Sequence, residues 1–148
     1  MASVTHVHLA PLHKAGLTEV TEVLAVEGAG LEGDRYLGTT RNVTVVAKGE
    51  LDEAADRLGY PIPAGATRRN ITVDADRLPR TTGALIHLGE AVLSVWRDCP
   101  PCERMYQTVG PGAREAPEGR AGIAAQVVKG GLIRVGDPVR FEPDPGDM

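Results

Sequence analysis

Cys99 and Cys102 are the two cysteines of the chain, set two residues apart in the stretch Arg97-Asp98-Cys99-Pro100-Pro101-Cys102-Glu103-Arg104. A C-x-x-C spacing serves several chemistries. A redox pair sits at a helix N-terminus in a βαβ setting, which favours the thiolate. Here the pair follows the strand-like Ala91-Val92-Leu93-Ser94-Val95-Trp96, with no βαβ unit in view. Structural zinc asks for four ligands. Only His6, His8, His13 or His87 could complete that set, and His6 and His8 alternate onto one face of a strand. The third chemistry is a single reactive or metal-binding thiolate. Pro100 and Pro101 stiffen the chain between the sulfurs, and Arg97 and Arg104 favour a thiolate beside them. Two inert buried cysteines are the plain alternative, but flanking charge and a double proline make a poor core strand.

Arginine-bearing turns form a second constellation. Gly30, Gly33, Asp34 and Arg35 fall in Gly-Leu-Glu-Gly-Asp-Arg-Tyr; Arg68, Arg69 and Asn70 precede a strand; Arg120 stands among Gly119 and Gly122. Glycine lets backbone N–H groups approach a ligand, and guanidinium groups pair bidentately with phosphate or carboxylate. A solvated turn explains each segment alone. Three of them beside a charged cysteine motif point to an anionic ligand. None matches a P-loop or a dinucleotide fingerprint.

These residues need a scaffold. The 148 residues make one domain with one core, expected over about residues 3 to 141, with 142 to 148 as a frayed tail. A formal charge of -4 and 3% aromatic residues argue against nucleic-acid binding and base stacking. No apolar run reaches the ~20 residues a bilayer span needs. The N-terminus lacks a basic segment followed by a long apolar one, and two cysteines make no disulfide framework, so a cytoplasmic setting is expected. Three of the 16 basic residues are lysine (Lys14, Lys48, Lys129), leaving 13 arginines, a ratio that a GC-rich genome also produces.

Alternation predicts strands at Val4 to Leu9 and Val20 to Val26, then a long glycine-rich loop. Asn42 to Ala47 and Asn70 to Val73 are β-branched and read as buried strands. Between them, Leu51, Ala54, Ala55 and Leu58 fall at helical spacing, with acids at the start and Gly59 as a stop. Leu85 to Val92 and Leu132 to Val139 echo each other as apolar strand, Gly-acid turn, apolar strand, which predicts two hairpins in one closed sheet. The expected fold is mainly β with one or two short helices, closed as a small β-barrel.

Taken in order, Gly-Leu-Glu-Gly-Asp-Arg-Tyr, Arg-Arg-Asn-Ile-Thr-Val, the Leu85 segment running into Cys-Pro-Pro-Cys-Glu-Arg, and the stretch from Gly119 to Val139 resemble the MOSC domain family. That family comprises the C-terminal domain of molybdenum cofactor sulfurases and stand-alone bacterial proteins. The resemblance covers roughly residues 3 to 141. It implies a β-barrel and a cysteine that ligates molybdenum or acts on sulfur, lying at a strand end and often preceded by proline. On that pattern Cys102 is the catalytic and metal-binding residue, and Cys99 an optional neighbour. Arg35, Arg68, Arg69, Asn70 and Arg120 fall on motif positions and, with Gly33, Asp34 and Gly122, make the expected site for the molybdenum cofactor.

What the resemblance implies for activity divides in two. One outcome is a cofactor-binding protein that carries the cofactor or reduces N-hydroxylated small molecules; the other is a sulfur carrier forming a persulfide on Cys102. Larger family reductases carry a second β-barrel domain or iron–sulfur modules, and full sulfurases carry an aminotransferase-like desulfurase domain. This sequence shows neither. A reductase built on it takes electrons from a separate partner, and sulfur chemistry here is independent of pyridoxal phosphate. A zinc-stabilised or purely structural barrel that binds a partner remains the reading from a different class. No segment specifies an oligomeric state.

Overall fold

The computed structural model describes residues 2–10, 17–34, 37–39, 42–59, 69–98 and 122–142. Eleven strands and one helix are assigned among them: β1 Val4–Leu9, β2 Thr18–Val20, β3 Glu22–Val26, β4 Gly30–Leu31, β5 Val43–Ala47, α1 Lys48–Leu58, β6 Ile71–Val73, β7 Leu85–Leu88, β8 Ala91–Asp98, β9 Ile123–Lys129, β10 Gly131–Arg134 and β11 Val139–Glu142. Eight strands make one sheet in the order β11-β7-β8-β9-β5-β6-β1-β2, and β10-β3-β4 make a smaller one.

The β-branched Val43-Thr44-Val45-Val46 run forms β5, buried on both faces at the middle of the large sheet. One face joins the main core, where Val43, Val45, Ile71, Ile86, Leu93, Ile123 and Ile133 pack together. On the other face Val46 is buried, as are Leu51 and Ala54 of α1. That helix is the crossover a parallel pair requires, because β5 and β6 are the parallel neighbours of the sheet. Its stop is the expected one: Gly59 adopts φ 83° and its N–H closes on the Ala55 carbonyl.

Four expectations change. Among the described residues the large sheet is not closed into a barrel. β11 pairs with β7 on one side. Its approach meets the start of β1 through an isolated bridge, Ser3 to Pro138, and a few backbone bonds such as Val4 N–H to Asp137 O. Pro138 has no N–H to extend a ladder there. The second echo segment is not a hairpin either. β10 pairs with β3 while β11 pairs with β7, so the Val135-to-Pro138 turn carries the chain from one sheet to the other. The expected strand from Val20 to Val26 breaks at Thr21 into β2 and β3, and the glycine-rich loop contains the short strand β4. Finally, Glu142 lies in β11 opposite Leu85 and is hydrogen-bonded to His87, so the ordered strand reaches one residue further than expected.

Among the described residues no helix is long and apolar enough to cross a membrane.

Candidate functional site

Asn70 stands just ahead of β6, between β1 and β5, and is 5% exposed. Its Oδ1 accepts from the Thr44 N–H and from the Thr44 hydroxyl, both at 3.0 Å. Its Nδ2 donates to the His8 carbonyl at 3.1 Å and to Asp34 Oδ1 at 3.2 Å. The Asn70 N–H in turn donates to Thr44 Oγ1 at 2.9 Å. An amide has two acceptor and two donor positions, and here all four are engaged. Asn70 is a joint between strands β1 and β5 and the loop after β4.

That loop is shaped by glycine. Gly33 has φ 90°, a left-handed conformation that lets the chain turn beside Leu9. Asp34 follows, 5% exposed, its Oδ1 also accepting from the Ala10 N–H at 2.9 Å. The Asp34 N–H returns to Leu31 O, and Asp34 O accepts from Leu37 N–H. Arg69 is buried next to Asn70. The structure therefore gathers Gly33, Asp34, Arg69 and Asn70 at the C-terminal end of β1. The bond from Asn70 to Asp34 ties together two points of the chain that are each next to an arginine: Arg69 before Asn70, and Arg35 after Asp34.

Gly122 lies elsewhere. It precedes β9 on the other side of β5, two strands away from Asn70. With φ 97° and an added Cβ only 2.4 Å from Val45 O, it has no room for a side chain. Its carbonyl accepts from Arg80 Nη1 at 3.4 Å. Arg80 also pairs with the buried carboxylate of Glu50 in the first turn of α1, whose other oxygen accepts from the Leu78 N–H at 3.0 Å. Asp98, the last residue of β8, is opposite Ile123. The segment bearing both cysteines thus leaves and rejoins the sheet on neighbouring, paired strands. Cys99, Cys102, Arg35, Arg68 and Arg120 lie outside the described residues.

One cross-strand row links the two regions: Arg97 is opposite Ala124, Ala124 opposite Thr44, Thr44 bonds Asn70, Asn70 O accepts from His8 N–H, and His8 is opposite Glu19. Arg97 is exposed and its guanidinium lies 4.3 Å from the centroid of the Trp96 ring. At the far end, the rings of His6 and His8 stack with centroids 6.0 Å apart. Glu19 Oε1 is 3.8 Å from His6 Nε2 and 4.0 Å from His8 Nε2, beyond hydrogen-bond length. Burial pulls the His8 pKa below its usual value; Glu19 opposes this and His6 adds to it. Among the described residues His8 Nδ1 has no hydrogen-bond partner, and no group of three or more His, Cys, Asp or Glu is placed to hold a metal ion.

Thr44, Glu50 and Arg80 were not among the residues singled out from sequence. An acid early in a helix signals Glu50 only as a helix start, and an arginine after Pro79 carries no local signal. His8 was visible as half of an alternating pair, without its burial.

The sequence matches the MOSC domain family model over residues 32–140. Curated protein sequences give no match. Among solved structures, YuaD from Bacillus subtilis superposes with a TM-score of 0.81 at 19% identity, covering 95% of this chain and 96% of that one. YiiM from Geobacillus stearothermophilus gives 0.73 at 18% identity, over 95% and 75% of the two chains. YiiM from Escherichia coli gives 0.67 at 20%, over 95% and 69%. The fold is shared with these proteins, and by the extent of the family match the chain belongs to the MOSC domain family.

Proposed function

We propose that this chain is a cytoplasmic molybdenum-cofactor-binding protein whose single metal-ligating residue is Cys102. The observation that supports it most is the span of the family match, which takes in the cysteine segment and the arginines of all three turns. The donor chemistry fits. A metal already held by a dithiolene asks the protein for one soft thiolate, which Cys102 would supply. Arg69, with Arg35 and Arg68 carried on the segments joined by Asn70 and Asp34, would hold the anionic part of the cofactor. When bound, the cofactor supplies a metal with open positions for a substrate oxygen. The protein's own residues orient it: Asp34 and Asn70 fix the arginine-bearing turn, and the paired β8 and β9 ends fix where the cysteine segment departs. N-hydroxylated small molecules are the substrate class this reading favours, with electrons from a separate donor.

Protein purified from a molybdopterin-producing host is expected to carry about one molybdenum per chain, with oxidised-pterin fluorescence. Cys102→Ala should lose both and Cys99→Ser retain them. Equal loss in the two variants defeats the single-thiolate assignment. Stoichiometric zinc without pterin overturns the reading, and cyanide-labile sulfur on Cys102 in place of molybdenum would assign sulfur carriage instead.

A further inference from the structure

The stretch from Leu78 to Ala84 meets strand β8 on one side of the cysteine segment and, on the other, Gly122, the residue that leads into β9. On the departing side, the Thr82 hydroxyl donates to Trp96 O at 3.0 Å, Gly83 N–H donates to Val95 O at 2.8 Å, and Val95 N–H donates to Ala84 O at 2.8 Å. On the returning side, Arg80 Nη1 donates to Gly122 O at 3.4 Å. The departing side has a specific reason to need a brace. The register of β8 on β9 slips between Val95 and Arg97, a bulge that takes Trp96 out of the β8–β9 pairing. Thr82 meets that residue's carbonyl. Glu50 then fastens the stretch to α1, through Leu78 N–H and the Arg80 guanidinium. An ion pair with a buried carboxylate is a poor source of stability, since the cost of desolvating it offsets the attraction of the half-buried guanidinium. What it provides here is a fixed direction for the arginine fork.

We propose that residues 78–84, anchored by Glu50, act as a bracket that sets the spacing and direction of the two chain ends flanking the cysteine segment, with Arg80 and Thr82 as its positioning residues. In the function proposed above, which this inference deepens, the bracket fixes the points at which the segment carrying Cys102 leaves and rejoins the sheet. The bracket itself does not depend on which group the thiolate serves.

The test uses metal-free full-length protein in a Cys99→Ser background, reading the iodoacetamide alkylation rate of Cys102 at fixed pH, amide exchange at Gly122 and Ile123, and the melting temperature. Thr82 is exposed, so Thr82→Val removes one grip with little risk to folding. Glu50→Gln combined with Arg80→Met removes the other without stranding a buried charge. Both are expected to raise the alkylation rate at least about threefold, and the double variant to speed exchange at Gly122 and Ile123, with the Thr82→Val melting temperature close to the parent's. Arg80→Lys keeps the pair with Glu50 but lacks the second prong of the fork; it should recover the melting temperature and not the rate. Parental alkylation rates in both variants, or rates that merely track melting temperature, overturn the bracket. Faster alkylation in the variants, together with parent protein that takes up no molybdenum in a molybdopterin-producing host, keeps the bracket and removes the cofactor reading; parental rates in the metal-free variants, together with molybdenum uptake by the parent, do the reverse.

Discussion

Replacing Asn70 by alanine tests the joint directly. The change removes both acceptor bonds from Thr44, one donor from the His8 carbonyl and one from the Asp34 carboxylate, all in a region about 5% exposed. Each buried group left without its partner costs on the order of 1–3 kcal/mol. Asp34 retains the Ala10 N–H, and a water in the vacated space offsets part of the rest. The expected destabilisation is about 3 kcal/mol, or roughly 9 °C in melting temperature at about 3 °C per kcal/mol for a chain of this size. Thermal and urea unfolding followed by circular dichroism measure it. Thr44→Val removes the hydroxyl half of the same joint, so a double-mutant cycle should give a coupling of at least about 1 kcal/mol. A cost for Asn70→Ala below about 1 kcal/mol, or strict additivity with Thr44→Val, would refute the account of Asn70 as a saturated joint.

Gly122 and Gly33 both have positive φ, but only Gly122 faces a backbone atom at an impossible distance. Gly122→Ala is expected to cost at least about 3 kcal/mol and Gly33→Ala about 1 kcal/mol, the latter from backbone strain alone; equal melting temperatures for the two variants contradict this. His8 is favoured neutral in the folded state because burial lowers its pKa from 6.5. Its contribution to stability is complete above that value and declines as pH falls through it toward the lower folded pKa. Urea midpoints between pH 8 and 5 should therefore fall with acidification, more steeply in the parent than in His8→Leu; parallel slopes assign the pH dependence to other groups.

Strand positions were legible where residues alternate, as in β1, or run β-branched, as in the doubly buried β5, and the helix was legible from its spacing and Gly59. The two echo segments show where such reading stops. Their local pattern is the same, yet Leu85 to Val92 turns on Gly89 into a ladder of its own while Leu132 to Val139 divides between two sheets. The difference lies in distant partners: β3, more than a hundred residues earlier in the chain, takes β10. The candidate site divides in the same way. Residue types marked Asp34 and Asn70 as notable. Their partners lie 26, 36 and 62 residues from Asn70, so saturation of its amide is a property of the assembled fold alone. Arg80 meets Gly122 across 42 residues and had no local mark.

The division of the chain's last strands between two sheets also governs the order in which the molecule can be made. β3 ends at Val26, but its partner β10 begins more than a hundred residues later at Gly131, and the start of β1 meets its bridge only at Pro138. At about 5–20 residues per second, translation takes on the order of 5–20 s to supply them. Val23 and Ala25, buried in the finished protein, wait through that interval with one strand edge unpaired. The β10–β3 pairing and the seam between β1 and the approach to β11 therefore wait on that stretch, and until it is made the β1–β2 and β3–β4 pairings are the local ones open to these strands.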